Sequence, residues 1–144
     1  MHKVLLATDG SVHAARAASY LVNMIEQDGL HCTEGDVHVL NVQAHLPTRI
    51  SQTMAAQELC DYYSQHSDHV CAGVVAQLQQ AGIAFVLHKR VGAPASNIVA
   101  CASEVGCQSV LIGTHGAGLA LGVLLGSVVS EVVKLTTVPV TLVK

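Results

Sequence analysis

The chain is poor in what holds nucleic acid. Of 144 residues only 3% are aromatic, and seven lysines and arginines stand against ten aspartates and glutamates, for a net charge of −3. A polyanionic backbone needs a basic field and single strands need stacking rings, so nucleic acid is not an expected partner. Long apolar runs are missing too. The most apolar late stretch, Ala117 to Val129, is broken by Gly118, Gly122, Gly126 and Ser127 and falls short of the ~20 residues a membrane span needs. The opening residues are apolar only up to Asp9; without the apolar core and small-residue cleavage site of a signal peptide, a cytoplasmic location is expected. Cys32, Cys60, Cys71, Cys101 and Cys107 include no Cys-x-x-Cys pair and read as reduced, mostly buried thiols. His66 and His69 stand at i, i+3, but no Glu-x-x-His or His-Glu-x-x-His pattern supports them, so no metal held by protein ligands alone is expected.

What is present is apolar content, 51% of the chain, enough for one core in one domain spanning residues 1–144. Strands and helices alternate. Lys3 to Thr8 reads as a strand. Ser11 to about Asp28 reads as a helix through Ala14, Ala15, Ala17, Ala18, Leu21, Val22 and Ile25, with Ser11 as cap and Gly29 as stop. Asp36 to Val42 is a second strand and Ala44 to about Ile50 a loop; one long helix is expected over Ser51 to Ala81, ended by Gly82. Ala84 to Val91 is a third strand, and Pro94 opens a helix that Gly106 closes. Ser109 to Gly113, a helix over about Ser127 to Leu135, and a strand over Val138 to Val143 complete the order. Strands separated by helices imply a parallel sheet covered on both faces, with any ligand beyond the carboxyl ends of the strands.

The most specific string lies between the fourth strand and the last helix, where Gly113, Gly116 and Gly126-Ser127 stand in the order Gly-x2-Gly-x9-Gly-Ser. A glycine-rich loop running into a helix suits a phosphate, because backbone N–H groups approach the anion closely and the helix N-terminus adds positive dipole. Ser127 can donate to a phosphate oxygen or cap its own helix. His115 can touch phosphate or face solvent. Asp9, as an acceptor at the end of the first strand, suits hydroxyl or amine donors at the nucleoside end of such a site; it equally suits the turn and helix that follow.

This spacing resembles the nucleotide-binding signature of the universal stress protein family, in the branch that binds ATP. Val4-Leu-Leu-Ala-Thr-Asp9-Gly-Ser11, Val91-Gly92-Ala-Pro94 through Ile98, and Val138-Pro139-Val140 through Val143 resemble further pieces of the family in the same order. The resemblance implies an open five-stranded parallel α/β sheet of order 3-2-1-4-5, related to the adenine nucleotide alpha hydrolases. It further implies that Ala7, Asp9 and the backbone around Val42 border adenine and ribose, and that Gly113, Thr114, His115, Gly116, Gly126, Ser127 and Val128 surround ribose and phosphates. ATP or another adenine nucleotide, with Mg²⁺ arriving on the phosphates, is the implied ligand. A homodimer is implied through pairing of the last strands. The apolar end of the chain agrees, because an exposed apolar edge invites a partner, although Pro139 removes one backbone donor.

One departure matters. The loop between Gly116 and Gly126 holds no lysine or arginine, so weak discrimination among ATP, ADP and AMP is expected. The same loop, 117–125, reads either as a mobile lid or as a docking patch for a protein partner. Phosphate cleavage needs a positioned base and cations to stabilise the transition state, and neither is visible. A regulatory or stress-response binding module with at most slow hydrolysis is therefore the leading reading. An ATPase or nucleotide phosphohydrolase is the alternative, and an interaction protein with an empty pocket the second. Gly116-x-Gly118 lacks the downstream unit of a Rossmann dinucleotide site, Gly126-Ser127 lacks a Walker lysine, and Thr8-Asp9-Gly10-Ser11 lacks the second glycine of a Ser-Gly-Gly-x-Asp-Ser hydrolase loop.

Overall fold

A computed structural model describes residues 3–27, 29, 33–115 and 125–144. The elements run β1 (Val4–Ala7), α1 (Val12–Gln27), β2 (Val37–Gln43), α2 (Thr48–Ser51), α3 (Ala56–Gln80), β3 (Val86–Val91), α4 (Pro94–Val105), β4 (Ser109–Gly113), α5 (Ser127–Leu135) and β5 (Val140–Val143). The strands form a parallel five-stranded sheet ordered β3-β2-β1-β4-β5. The fold class expected from the sequence is the one observed.

Parallel strands covered on both sides must be apolar on both sides, and β1 shows this: all four of its residues are buried. Val4 and Leu6 join Val37, Val39 and Leu111 under α1 and α3, while Leu5 and Ala7 join Leu40, Val110 and Ile112 under α4 and α5. Two apolar layers thus sandwich the sheet. Cys71, Cys101 and Cys107 are buried free thiols, and burial pushes the Cys107 thiol up to about 11. Cys60 is exposed, and Cys32 lies outside the described residues.

The expected boundaries hold closely for α4, β4 and α5. Gly106 closes α4 at a φ of 70°, and Ser11 caps α1 by accepting the Ala14 N–H at 3.2 Å. The single long helix expected over Ser51 to Ala81 is instead two pieces. Residues Thr48–Ser51 form one turn, and α3 starts only at Ala56. The break has a side-chain cause: the Thr53 hydroxyl donates to the Ile50 carbonyl at 2.7 Å, and Ala55, extended at ψ 152°, donates its N–H to the Glu58 carboxylate at 3.0 Å. Glu58 satisfies one backbone donor at the start of α3 and so restarts the helix. Only Ser67, Cys71, Val74 and Leu78 of α3 are buried, a stripe at helical spacing that meets the sheet.

Candidate cleft at the carboxyl edge of the sheet

The strand order reverses between β1 and β4, and a crevice is expected there beyond their carboxyl ends. A cleft of about 390 Å³ lies at that point, within the size range of small-molecule sites. Its apolar part is lined by Ala7, Leu40, Val42 and Ile112 from the strands and by Pro94 and Ile98 from α4; Gly113, His115, Gly126, Ser127 and Val128 line it further along.

Each side is positioned by local chemistry. After β1 the chain turns through Thr8-Asp9-Gly10-Ser11. The Asp9 carboxylate accepts the Ser11 N–H at 3.0 Å, and Thr8 Oγ1 accepts the Gly10 N–H at 3.2 Å. Gly10 has a φ of +77°, and a Cβ there would stand 3.0 Å from the Val70 carbonyl oxygen, so only glycine suits this corner. Asp9 therefore shapes the turn and also lines the cleft. Both roles read from the sequence are compatible with this arrangement.

A buried polar chain beneath the turn was not singled out in the sequence. Asn41, 2% exposed, donates from Nδ2 to the Thr8 carbonyl at 2.9 Å and accepts the fully buried Ser67 hydroxyl at 2.8 Å. It links β1, β2 and α3 directly under Asp9. Its signal was a lone amide inside the apolar run Val37 to Val42.

On the other side, β4 ends at Gly113, where a Cβ would lie 2.7 Å from the His13 carbonyl carbon and 2.9 Å from its carbonyl oxygen. Helix α1 packs directly on this glycine. Thr114 is buried and is absent from the cleft lining. Its N–H donates to Val143 at 2.8 Å and its carbonyl accepts the Gly126 N–H at 2.9 Å, so it ties β5 and the start of α5 to the end of β4. The Gly126 N–H is thus engaged within the chain. The first backbone bond of α5 runs from the Ser130 N–H to the Gly126 carbonyl at 2.9 Å, with no side-chain cap. The N–H groups of Ser127, Val128 and Val129 consequently have no intrahelical partner, at the positive end of the helix and at the cleft. Gly116 lies outside the described residues.

His115 lines the cleft with its Nδ1 2.9 Å from Thr114 Oγ1, and its ring sits 5.1 Å from that of His13. No lysine or arginine lines the cleft among the described residues. His66 stacks on Tyr62 along α3 at 6.0 Å, and the described residues contain no group of three His, Cys, Asp or Glu that could hold a metal.

These features define a class: a doubly wound parallel α/β protein with a cleft apolar at one end and bordered by an uncapped helix N-terminus at the other. The universal stress protein family model matches residues 1–144, and the chain belongs to that family. It is similar to hypothetical protein MJ0577 (26% identity, TM-score 0.80, covering 99% of this chain and 95% of that one). It is also similar to a universal stress protein crystallised in complex with cAMP (21%, 0.71, 99% and 97%). A third similar structure is the universal stress protein of Archaeoglobus fulgidus in complex with dAMP (18%, 0.64, 100% and 98%). No curated protein sequence matches this chain.

Proposed function

We propose that the protein binds an adenine nucleotide, ATP included, in this cleft and acts as a regulatory binding module of the cytoplasm with at most slow hydrolysis. The observation that carries the reading is the cleft's polarity. Ala7, Leu40, Val42 and Ile98 offer apolar contact for a base, Asp9 offers an acceptor for ribose or amine donors, and the start of α5 offers N–H groups to phosphate. The cAMP and dAMP complexes of structurally similar family members support it. Asp9 is the only acid and no lysine or arginine lines the cleft among the described residues, which favours binding over phosphoryl transfer. Any Mg²⁺ would arrive with the phosphates, since the described residues hold no metal-ligand cluster.

Titration calorimetry with ATP, ADP and AMP in Mg²⁺ tests this. All three should bind within about tenfold of one another, because no side-chain lysine or arginine rewards the extra phosphates. Ser127→Asp should weaken each by about 30-fold or more through repulsion of the phosphates, while the helix itself tolerates an acid in its first turn. A wild-type protein that ignores all three at millimolar concentration overturns the reading and favours an interaction protein with an empty pocket; an unaffected Ser127→Asp variant would refute phosphate contact at the start of α5. The apolar loop suggested for such an interaction lies outside the described residues at 117–124, and Leu125 packs against the layer under α4 and α5.

The same reading includes a homodimer through β5. That strand is an edge of the sheet, and Leu142 on it, with Val133 and Leu135 on α5, is exposed. Unpaired apolar edges favour pairing with another chain. Light scattering at micromolar concentration should give twice the 15.0 kDa chain mass; a monomer alone would refute the dimer.

A further inference from the structure

We infer that the cleft adjoins, at its base end, a second chamber between β2 and α3 that takes a planar ring, so that the protein binds adenine nucleotides carrying a ring substituent on the base more tightly than plain ones. This rests on the adenine-nucleotide reading above. The second chamber, of about 280 Å³, is bordered by Gln43 and Leu46 at and beyond the carboxyl end of β2 and by Tyr62, Tyr63 and His66 of α3. It shares Asp9 and Val42 with the cleft and none of the residues at the start of α5. It therefore meets the cleft at the end that suits base and ribose, away from the N–H groups that suit phosphate.

The lining decides what the chamber can hold. Among the described residues it contains no lysine or arginine, and it includes the Asp9 carboxylate, so a further phosphate is disfavoured there. Aromatic side chains are concentrated in it instead. The whole chain has no tryptophan, one phenylalanine and three tyrosines, and two of those tyrosines stand side by side on this wall. The Tyr62 ring lies edge-on to Tyr63 at 5.6 Å and parallel to His66 at 6.0 Å, yet Tyr62 remains 41% exposed. An aromatic surface left open in this way favours another ring, which stacks offset or packs edge-on against it. The volume suffices, since an apolar cavity of about 150 Å³ already holds benzene.

Hydrogen bonds hold the chamber in shape. The Gln43 side-chain amide donates to the Tyr63 carbonyl at 2.7 Å, and the Leu46 N–H donates to the Tyr63 hydroxyl at 2.8 Å. One residue of α3 thus fixes both the end of β2 and the loop that follows it. Asn41, also in the lining, is tied to Thr8 and Ser67. A ligand meets a formed pocket and loses little affinity to ordering it.

The test compares AMP with benzyl-AMP, in which a benzyl group replaces one hydrogen of the exocyclic amine of adenine and leaves the other as a donor. Dissociation constants are measured by calorimetry, with circular dichroism confirming the fold of each variant. Wild-type protein should bind benzyl-AMP about tenfold more tightly than AMP, the effect of one well-placed ring contact. Tyr62→Ala, a change at a partly exposed position that the fold should tolerate, should abolish this gain and leave AMP binding unchanged. Leu46→Trp, which fills the chamber from the loop side, should do the same. Tyr62→Phe should keep the gain, because the ring and not the hydroxyl makes the contact. A wild type that binds benzyl-AMP no more tightly than AMP, or a gain that persists in Tyr62→Ala or Leu46→Trp, overturns this inference while nucleotide binding stands. Absence of binding by both ligands overturns the nucleotide reading itself and this inference with it.

Discussion

Replacing Gly113 with alanine is expected to destabilise the whole fold by about 3 kcal/mol, at the upper end of what overpacking a core costs. In thermal unfolding this corresponds to a fall of about 9 °C in Tm for a chain of this size. A Cβ at this position would lie 2.7 Å from the His13 carbonyl carbon, 2.8 Å from its Cβ and 2.9 Å from its carbonyl oxygen. None of these atoms can swing aside as a side-chain tip can, so α1 must shift away from β4 as a body. Helix α1 also contributes Ala17, Ala18 and Leu21 to the apolar layer beneath it, and the shift would open that layer. Gly113→Val should leave little folded protein. If Gly113 served only to let a phosphate approach, alanine would weaken nucleotide binding and leave Tm unchanged, and that result would refute the packing account. The consequence for site mapping is direct: lost binding in a Gly113 variant has to be separated from lost structure before it says anything about phosphate.

Gly113 also shows what the sequence does and does not disclose. Its spacing to Gly116 and Gly126 reads as a ligand loop, and of that segment Gly113, His115 and Gly126 line the cleft. The reason for glycine at 113, however, is contact with a helix about a hundred positions earlier in the chain, which no local pattern carries. Gly126 is similar. It sits at φ −65° and ψ 156°, a conformation open to any residue, and its N–H is taken by Thr114. Thr114, grouped with the site on family resemblance, is buried, and its backbone ties β4 to β5 and to the start of α5.

Elements bounded by strong local chemistry were legible. Pro94 and Gly106 delimit α4 because one presets φ and the other adopts a left-handed cap. The start of α3 was not legible, since residues 51–55 contain neither proline nor glycine and the break depends on the Thr53 and Glu58 side chains bonding backbone groups. The β-strands were read slightly too long at their starts, at Lys3, Asp36, Ala84 and Val138. At Ala84 and Val138 apolar composition extends before the first ladder residue, and only pairing with a neighbour fixes where a strand begins. The strand order came from resemblance, because periodicity identifies strands without saying which lie side by side.

Asn41→Ala is the second substitution expected to have a large effect, and it joins the core to the cleft. The amide is 2% exposed, and its loss leaves the Thr8 carbonyl and the Ser67 hydroxyl without their partners. Each buried polar group so orphaned costs about 1–3 kcal/mol, so a total near 3 kcal/mol and a Tm lower by about 9 °C are expected. Thr8 immediately precedes Asp9, and its backbone position is otherwise set by one N–H bond to the Leu40 carbonyl at 2.9 Å. Freed from Asn41, the turn should lose its registration against the cleft, and nucleotide binding should weaken about tenfold even at temperatures where the variant is folded. Ser67→Ala alone should cost less, because Asn41 retains its bond to Thr8. The two changes share one network, so their effects should not add: the double variant should be little worse than Asn41→Ala. Additive losses in chemical denaturation would mean that the three groups act separately. Unchanged nucleotide affinity in folded Asn41→Ala would mean that the Asp9 turn holds its position without the amide beneath it.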